Sequence, residues 1–246
     1  MPVGQLSAPL AFLTHSGEDH TAERIRTTYR WTMDHPETDS YGWLAQHYDR
    51  ILEPVNAPLR RLALRQIPTG PGMRVLDVGC GTGAHLAAYA ETGASCWGVD
   101  LSPAMLAVAR DRLPEGVELS LENAGSLSFE SGFFDLVFTS MFLHELEPET
   151  RVGVLAEMGR VTSPEGSMLI IDYRPGDLRW KGRAWRAFST ATERIAGTQH
   201  YTAWRRYLAE GGVAAQLPDH LAVETERIVA GGNLALWVVR HAPTPE

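Results

Sequence analysis

A glycine-rich turn follows a short apolar run in the first third of the chain. Residues 75–78 lead into Gly79, Gly81 and Gly83, and the alanine-rich segment Ala84–Ala90 comes next. Glycine allows a positive φ and lets a ligand approach the backbone without meeting a Cβ atom. Ligands of open α/β sheets bind at the carboxyl ends of the strands. The turn therefore predicts a ligand site.

An aspartate ends the next apolar run. Asp100 follows residues 95–99, and its carboxylate can accept hydrogen bonds from two hydroxyl groups of a ribose. Because the carboxyl ends of parallel strands share one edge of a sheet, Asp100 and the glycine turn are expected to lie side by side. The pair indicates a nucleoside ligand.

The elements that must position these residues alternate between strands and helices. Short apolar runs typical of buried parallel strands span residues 74–78, 95–99, 134–139 and 167–171. Residues 118–122 form a weaker strand candidate near an edge. One helix is predicted to begin at Ser102-Pro103 and another near Pro148, the second ending before the turn residues 163–166.

This alternation predicts a doubly wound α/β fold with right-handed crossovers and a mainly parallel sheet. In the tail, residues 222–229 and 234–241 flank Gly231-Gly232, a pattern typical of an antiparallel hairpin. We expect this C-terminal hairpin to close one edge of the sheet.

Residues 41–173 resemble the class I S-adenosylmethionine-dependent methyltransferases, especially those acting on small molecules and lipids. Gly79, Gly81 and Ala84 also fit the dinucleotide fingerprint, which keeps a dehydrogenase as an alternative. Asp77 favours the methyltransferases, since that family has an acidic residue at this position, near the methionine end of its cofactor. The resemblance implies a Rossmann-like sheet of seven strands.

The same resemblance implies roles for single residues. Asp100 would bind the ribose, Leu101 and Met105 would pack beside the adenine, and Asn123 and Ala124 would contact the adenine amine and a ring nitrogen. Asn123 departs from the aspartate that is frequent in the family, although its carbonyl oxygen can still accept from an amine. The remaining predicted cofactor-binding residues, at the methionine and covering ends, are Asp77, Gly79, Gly81, Ser140 and Tyr48.

Domain organisation is predicted in three parts. Residues 1–69 form an aromatic-rich helical leader, read either as a lid or as ordinary packing of aromatic rings. Residues 70–246 form the cofactor-binding domain, with 174–221 as a helical insertion that caps the substrate. The aromatic and arginine-rich insertion could alternatively touch a membrane surface weakly.

Two histidines are candidate catalytic residues. Methyl transfer depends mainly on aligning acceptor, methyl and sulfur, but a proton must leave some acceptors, and histidine suits that task at neutral pH. His144 lies beyond the fourth strand, and His200 lies in the aromatic tail. The structural alternatives are a hydrogen-bonding residue at a helix start for His144 and packing for His200.

The amino-acid composition disfavours some classes of binding partner. The formal net charge is −8, with 22 basic against 30 acidic residues, which disfavours nucleic acid as a partner. The sequence has two cysteines, lacks a basic signal region and contains no apolar run of about 18 residues. These features favour a cytoplasmic protein without integral membrane association. Metal-ligand spacing is not evident. The expected acceptor is a small or lipid-like molecule, and a nonmethylating or regulatory protein that binds S-adenosylmethionine is the alternative.

Overall fold

The computed structural model describes residues 45–243, except for the side chains of residues 45–52, 54 and 55. Six helices and seven strands of at least four residues occur in this range. The helices are α1 (Ala45–Gln66), α2 (Ala84–Ala90), α3 (Pro103–Arg112), α4 (Pro148–Val161), α5 (Trp180–Ala196) and α6 (Thr198–Ala209). The strands are β1 (Arg74–Val78), β2 (Ser95–Asp100), β3 (Glu118–Leu121), β4 (Phe134–Ser140), β5 (Thr162–Tyr173), β6 (Leu221–Val229) and β7 (Leu234–His241).

The seven strands form one sheet in the order β3-β2-β1-β4-β5-β7-β6. Strands β1 to β5 run parallel to one another, and β7 is antiparallel to both β5 and β6. The predicted α/β fold, doubly wound with a mainly parallel sheet and a C-terminal antiparallel hairpin, is confirmed. The weak candidate β3 lies at one edge of the sheet, as its sequence indicated.

The central strands are formed by residues that are apolar on both faces. Val75, Leu76 and Val78 in β1 are completely buried, as expected for a parallel strand covered by helices on each side. Helix α3 begins where the sequence predicted, because the Ser102 hydroxyl accepts a hydrogen bond from the Met105 amide and Pro103 occupies the first turn.

Strand β5 begins five residues earlier than the apolar run 167–171 suggested. Thr162 pairs with Phe134 and Ser167 with Leu136, so one residue of β4 faces the four residues 163–166 of β5. The predicted turn is thus a bulge inside the strand. A Cβ atom at Gly166 would lie 2.8 Å from the Ser163 hydroxyl oxygen, which explains why glycine occupies this tight bend.

Between β5 and β6 the chain forms α5 and α6, so the predicted insertion 174–221 is largely helical. Its role as a substrate cap stays a prediction. Most of the predicted leader lies outside the described residues, and α1 is the part of it that the structure describes. Within residues 45–243, none of the helices combines the length and the apolar character that crossing a membrane requires.

Candidate functional site

The glycine turn crosses from the end of β1 onto the end of β2. The amides of Gly79 and Cys80 both donate to the carbonyl oxygen of Val99, at 2.9 and 3.0 Å. Gly79 has φ 70° and Gly81 has φ 52°, conformations that L side chains seldom adopt. The turn therefore presents bare backbone at the carboxyl edge of the sheet.

Asp100 lies against this turn. One carboxylate oxygen accepts from the Gly81 amide at 2.8 Å, and the other accepts from the Ser102 amide at 2.8 Å. Each carboxylate oxygen can accept a second hydrogen bond. The two amides fix the orientation of the carboxylate beside the glycine turn, where the sequence predicted the ribose contact.

Asp77 is a buried carboxyl group beside Asp100. Only 2% of its surface is exposed, and none of the hydrogen bonds among residues of the described range ends on its side chain. Burial raises the pKa of Asp77 well above its usual value, and the charge of Asp100 raises it further. A buried acid without a partner is stabilised by a cation placed next to it, and the sulfonium and ammonium groups of S-adenosylmethionine are such cations.

The space over the turn differs between its glycines. A Cβ atom added at Gly81 would meet no atom within 4 Å, so a ligand can approach there. At Gly79 the Phe142 ring lies close, since an added Cβ would be 2.6 Å from its Cγ atom. Phe142 therefore lies over the turn at Gly79, and a side chain at either glycine would occupy the space next to the bare backbone.

The predicted cofactor residues follow one another along this edge in the order of the ligand's parts. Adjacent strand ends carry Asn123 and Ala124 after β3, Asp100 at β2, Asp77 at β1 and Ser140 at β4. This sequence of positions corresponds to adenine, ribose, and the methionine portion of the nucleoside. The residues present thus fit S-adenosylmethionine.

The residues predicted to contact the adenine differ in exposure. Ala124 and Met105 are buried, whereas Leu101 is 42% exposed. The side-chain oxygen of Asn123 accepts from the Gly125 amide at 2.9 Å. The asparagine therefore shapes its own loop, and the adenine contact predicted for it stays a prediction.

At the end of β4, the Ser140 hydroxyl lies 3.5 Å from Nε2 of His85, the second residue of α2. The other ring nitrogen of His85, Nδ1, is buried without a hydrogen-bond partner. Burial lowers the pKa of His85 to about 3, with help from the charge of Arg60. His85 is consequently neutral at physiological pH and can hold the Ser140 side chain at the cofactor edge.

His144 lies in a short 3-10 helix, Leu143–Glu145, just beyond β4, and it is 2% exposed. Its Nδ1 atom is 2.7 Å from a carboxylate oxygen of Asp172, and its Nε2 atom is 3.5 Å from Glu193 Oε1. Burial alone would lower the pKa of His144, but the charges and hydrogen bonds of Asp172 and Glu193 raise it well above its usual value. The ring is therefore an imidazolium between two carboxylates.

The same cluster includes Tyr173 and reaches helix α5. The Tyr173 hydroxyl donates to Glu193 Oε1 at 2.9 Å, and its ring is nearly perpendicular to that of His144, with the ring centroids 4.7 Å apart. Since Asp172 and Tyr173 end β5 and Glu193 belongs to α5, the cluster joins the carboxyl edge of the sheet to the inserted helices.

His200 differs from His144 in exposure and in charge. Its side chain is 18% exposed, and Nδ1 lies 4.0 Å from Glu145 Oε1. Burial lowers the pKa of His200, and the effect of nearby Glu193, which raises it, does not cancel this shift. A neutral, accessible imidazole can accept a proton, whereas the enclosed imidazolium of His144 cannot.

Several residues of this region were missed by sequence reasoning. Asp172 carries the same signal as Asp100, a carboxylate at the end of an apolar strand, and could have been found. Glu193 and Phe142 could not, because their partners are known only once helix α5 and the loop after β4 are placed. His85 lacks a distinguishing sequence signal.

Three further points concern Tyr48, Cys80 and metal binding. The side chain of Tyr48 lies outside the described residues, so its covering role stays a prediction. Cys80 is buried, and burial followed by the charges of Asp77 and Asp100 raises its pKa well above the usual value, which makes it a poor nucleophile. Among the described residues, no group of three or more His, Cys, Asp or Glu side chains is arranged to hold a metal ion.

Comparison with known proteins gives a consistent result. Residues 75–166 match the family model described as a methyltransferase domain. An uncharacterised methyltransferase of Synechocystis is 31% identical over 165 residues, which cover 62% of this chain and 77% of that protein. The demethylmenaquinone methyltransferase of Tropheryma whipplei is 35% identical over 139 residues, which cover 54% of this chain and 57% of that enzyme.

Among solved structures, the geranyl diphosphate C-methyltransferase of Streptomyces coelicolor matches with a TM-score of 0.55 and 16% identity, over 78% of this chain and 81% of that one. This likeness supports the fold. Together with the relative from Synechocystis, the methyltransferase domain and the cofactor edge just described, it places this chain in the class I S-adenosylmethionine-dependent methyltransferases.

Proposed function

We propose that this enzyme transfers the methyl group of S-adenosylmethionine to a small, lipid-like acceptor. The observation that carries the proposal is the order of strand ends at the carboxyl edge, where Asn123, Asp100, Asp77 and Ser140 follow the parts of the cofactor. The lipid-like acceptor is supported by relatives and neighbours named for demethylmenaquinone and geranyl diphosphate.

In this proposal the cofactor residues keep their predicted roles. Asp100 holds the ribose hydroxyls, Asp77 offsets the positive charge near the methionine end, and the bare backbone of Gly81 admits the ligand. Asn123 and Ala124 contact the adenine amine and a ring nitrogen, and Leu101 and Met105 pack beside the adenine.

S-adenosylmethionine, when bound, supplies an electrophilic methyl group with a neutral thioether as leaving group. The protein's contribution is to align the acceptor with the methyl–sulfur bond and to exclude water. Phe142 is suited to the alignment, because its ring lies over Gly79 beside the methionine side of the site. It offers a flat apolar wall to an acceptor that carries a ring or an isoprenoid chain.

The two histidines take different parts. His144 is proposed as a positioning residue, since both of its ring nitrogens face carboxylates and the imidazolium has no capacity to accept a further proton. His200 is the better candidate for removing a proton from the acceptor, because it is neutral and partly exposed. The roles of the two candidate catalytic residues are thereby separated by charge.

The test combines binding with product detection. Calorimetry should detect S-adenosylmethionine binding, and cell extract with a cofactor carrying a labelled methyl should yield a labelled lipid-soluble product by mass spectrometry. A labelled product confined to water-soluble compounds, proteins or nucleic acids would contradict the acceptor class. Tight cofactor binding with no labelled product would favour the nonmethylating alternative.

A second step tests the histidines with the acceptor identified in that screen. We expect His200→Gln to lower kcat by roughly 100-fold or more, as for loss of a general base. The variant should also lose the rise of kcat that the wild type shows as pH increases through the lowered pKa of His200. An unchanged pH profile in His200→Gln would exclude the proposed proton transfer.

A further inference from the structure

Helix α5 buries polar and small residues and exposes three of its four large apolar ones, while Trp185 is half-buried. Gly182, Ser189 and Glu193 face inward, and Glu193 accepts from the Tyr173 hydroxyl while the Ser189 hydroxyl accepts from the Asn233 side-chain amide at 3.1 Å. An ordinary surface helix has the opposite arrangement, with its apolar stripe toward the core. The outward face of α5 is therefore unusual.

The exposed residues form a stripe along the helix. Trp180 is 75% exposed, Phe188 is 44% exposed and Ile195 is 81% exposed. These positions recur about every two turns and thus lie on one side of the helix. Between them, the stripe is completed by three small exposed residues, Ala184, Ala187 and Ala191.

Basic side chains flank the stripe. Lys181 and Arg183 are exposed near its start and Arg194 near its end. Lys181 lies over the Trp180 ring, 5.3 Å from its centroid, and neither Lys181 nor Arg183 forms an ion pair with a residue of the described range. The one acidic residue of α5, Glu193, is buried, so the exposed surface of the helix carries only positive charge.

We propose that the outward face of α5, defined by Trp180, Phe188, Ile195, Lys181 and Arg183, docks on an anionic lipid surface. Large apolar residues bordered by cations are the combination with which interfacial helices enter the headgroup region. The whole chain has a formal net charge of −8, so an anionic membrane repels most of the protein and attracts this face. That difference selects one orientation.

The consequence for the enzyme follows from where α5 is attached. Glu193 on the inward side belongs to the cluster with His144 and Tyr173 at the carboxyl edge of the sheet. A membrane bound by the outward face of α5 therefore lies against the same helix that completes this cluster. The docking itself does not depend on which acceptor is methylated.

The test is a flotation assay of the full chain with phosphatidylcholine vesicles, prepared with and without phosphatidylglycerol. We expect binding to the anionic vesicles that weakens as salt is added, and much weaker binding to the neutral ones. The double variant Lys181→Gln/Arg183→Gln should bind about 25-fold more weakly, since each basic residue near such a surface contributes about fivefold.

The apolar part is tested with Trp180→Ser/Ile195→Ser, which should reduce binding to both kinds of vesicle. Matched controls are Arg110→Gln on α3 and Val152→Ser on α4, also exposed residues, and both should bind like the wild type. Equal losses in the controls and the α5 variants would overturn the proposal. So would wild-type protein that binds no vesicle, or that self-associates until Ile195 is replaced, since the face then joins copies of the chain.

Cofactor titration of every variant separates this proposal from the proposed function. All four variants should bind S-adenosylmethionine as the wild type does. A chain that fails to bind the cofactor yet floats with anionic vesicles contradicts the proposed function and leaves the docking intact. Normal cofactor binding without flotation contradicts the docking and leaves the proposed function intact.

Discussion

The carboxylate of Asp100 accepts a hydrogen bond from the Gly81 amide at 2.8 Å, which ties the end of β2 to the glycine turn after β1. The contact orients the carboxylate across the cradle. A second amide, that of Ser102, holds the other oxygen. Asp100 therefore supports the turn, and its replacement tests both this support and the proposed ribose contact.

Replacing Asp100 by alanine should weaken S-adenosylmethionine binding by roughly 1–3 kcal/mol, because the hydrogen bonds to the ribose hydroxyls are lost. Isothermal titration calorimetry measures the change. The matched control is Asp135→Ala, since Asp135 also accepts a backbone amide, that of Arg74 at 2.7 Å, at the amino end of β4. An equal affinity in wild type and Asp100→Ala would remove Asp100 from the cofactor site.

Asp77 gives the cofactor affinity a pH dependence. Burial and the charge of Asp100 raise the pKa of Asp77, so in the cofactor-free protein its carboxyl group stays protonated up to a higher pH than that of an exposed aspartate. A cationic ligand favours the ionised form, so affinity should fall as pH drops below that pKa, by at most about tenfold per pH unit. Calorimetry over a pH series measures the slope.

Asp77→Asn supplies the comparison for this effect, because the amide is close in shape and does not ionise. We expect its affinity to be lower near neutral pH and nearly independent of pH in the acidic range. A wild-type affinity that stays constant between neutral pH and the onset of acid unfolding would show that Asp77 does not meet a cation.

The sheet and the cofactor edge could be predicted because they depend on local signals. An apolar run predicts a strand, and a polar residue at its end lies at the carboxyl edge whatever the distant contacts are, as for Asp77 and Asp100. The pairing of His144 with Glu193 has no such signal, since it arises only when α5 folds back over β5. The bulge at residues 163–166 was misread because turn-forming residues also form strand bulges.

Gly79 and Phe142 are predicted to be coupled. Gly79→Ala places a Cβ atom 2.6 Å from the Phe142 Cγ atom and forces alanine into φ 70°. The clash should cost about 1–3 kcal/mol and the backbone roughly 1–2 kcal/mol. In the Phe142→Ala background only the backbone cost should remain, which urea unfolding of the four proteins in a double-mutant cycle can measure.

Gly81→Ala is the control for that cycle, because Gly81 has φ 52° and an added Cβ there meets no atom within 4 Å. Its cost should be the same with Phe142 present or removed, while cofactor binding is lost in both backgrounds. If the penalty of Gly79→Ala were equally insensitive to Phe142, the ring would not border the turn.

His144 should make the stability of the protein fall as pH rises above neutral. Its folded pKa is raised above the unfolded value of about 6.5. The stabilisation is therefore complete below about pH 6.5 and is lost as pH rises through the folded pKa. His144→Asn leaves Asp172 and Glu193 without the cation between them, which should cost about 3–5 kcal/mol near neutral pH.

Urea unfolding of wild type and His144→Asn from neutral to alkaline pH measures this difference. The gap between the two proteins should narrow as pH rises, because the wild type loses the same charge that the variant lacks. The lowered pKa of His200 makes stability change below about pH 6.5 and so does not disturb this window. His220→Asn, at an exposed position, should follow the wild type throughout. A gap that stays constant with pH would mean that His144 is neutral in the folded protein, and it would return His144 to the list of proton acceptors.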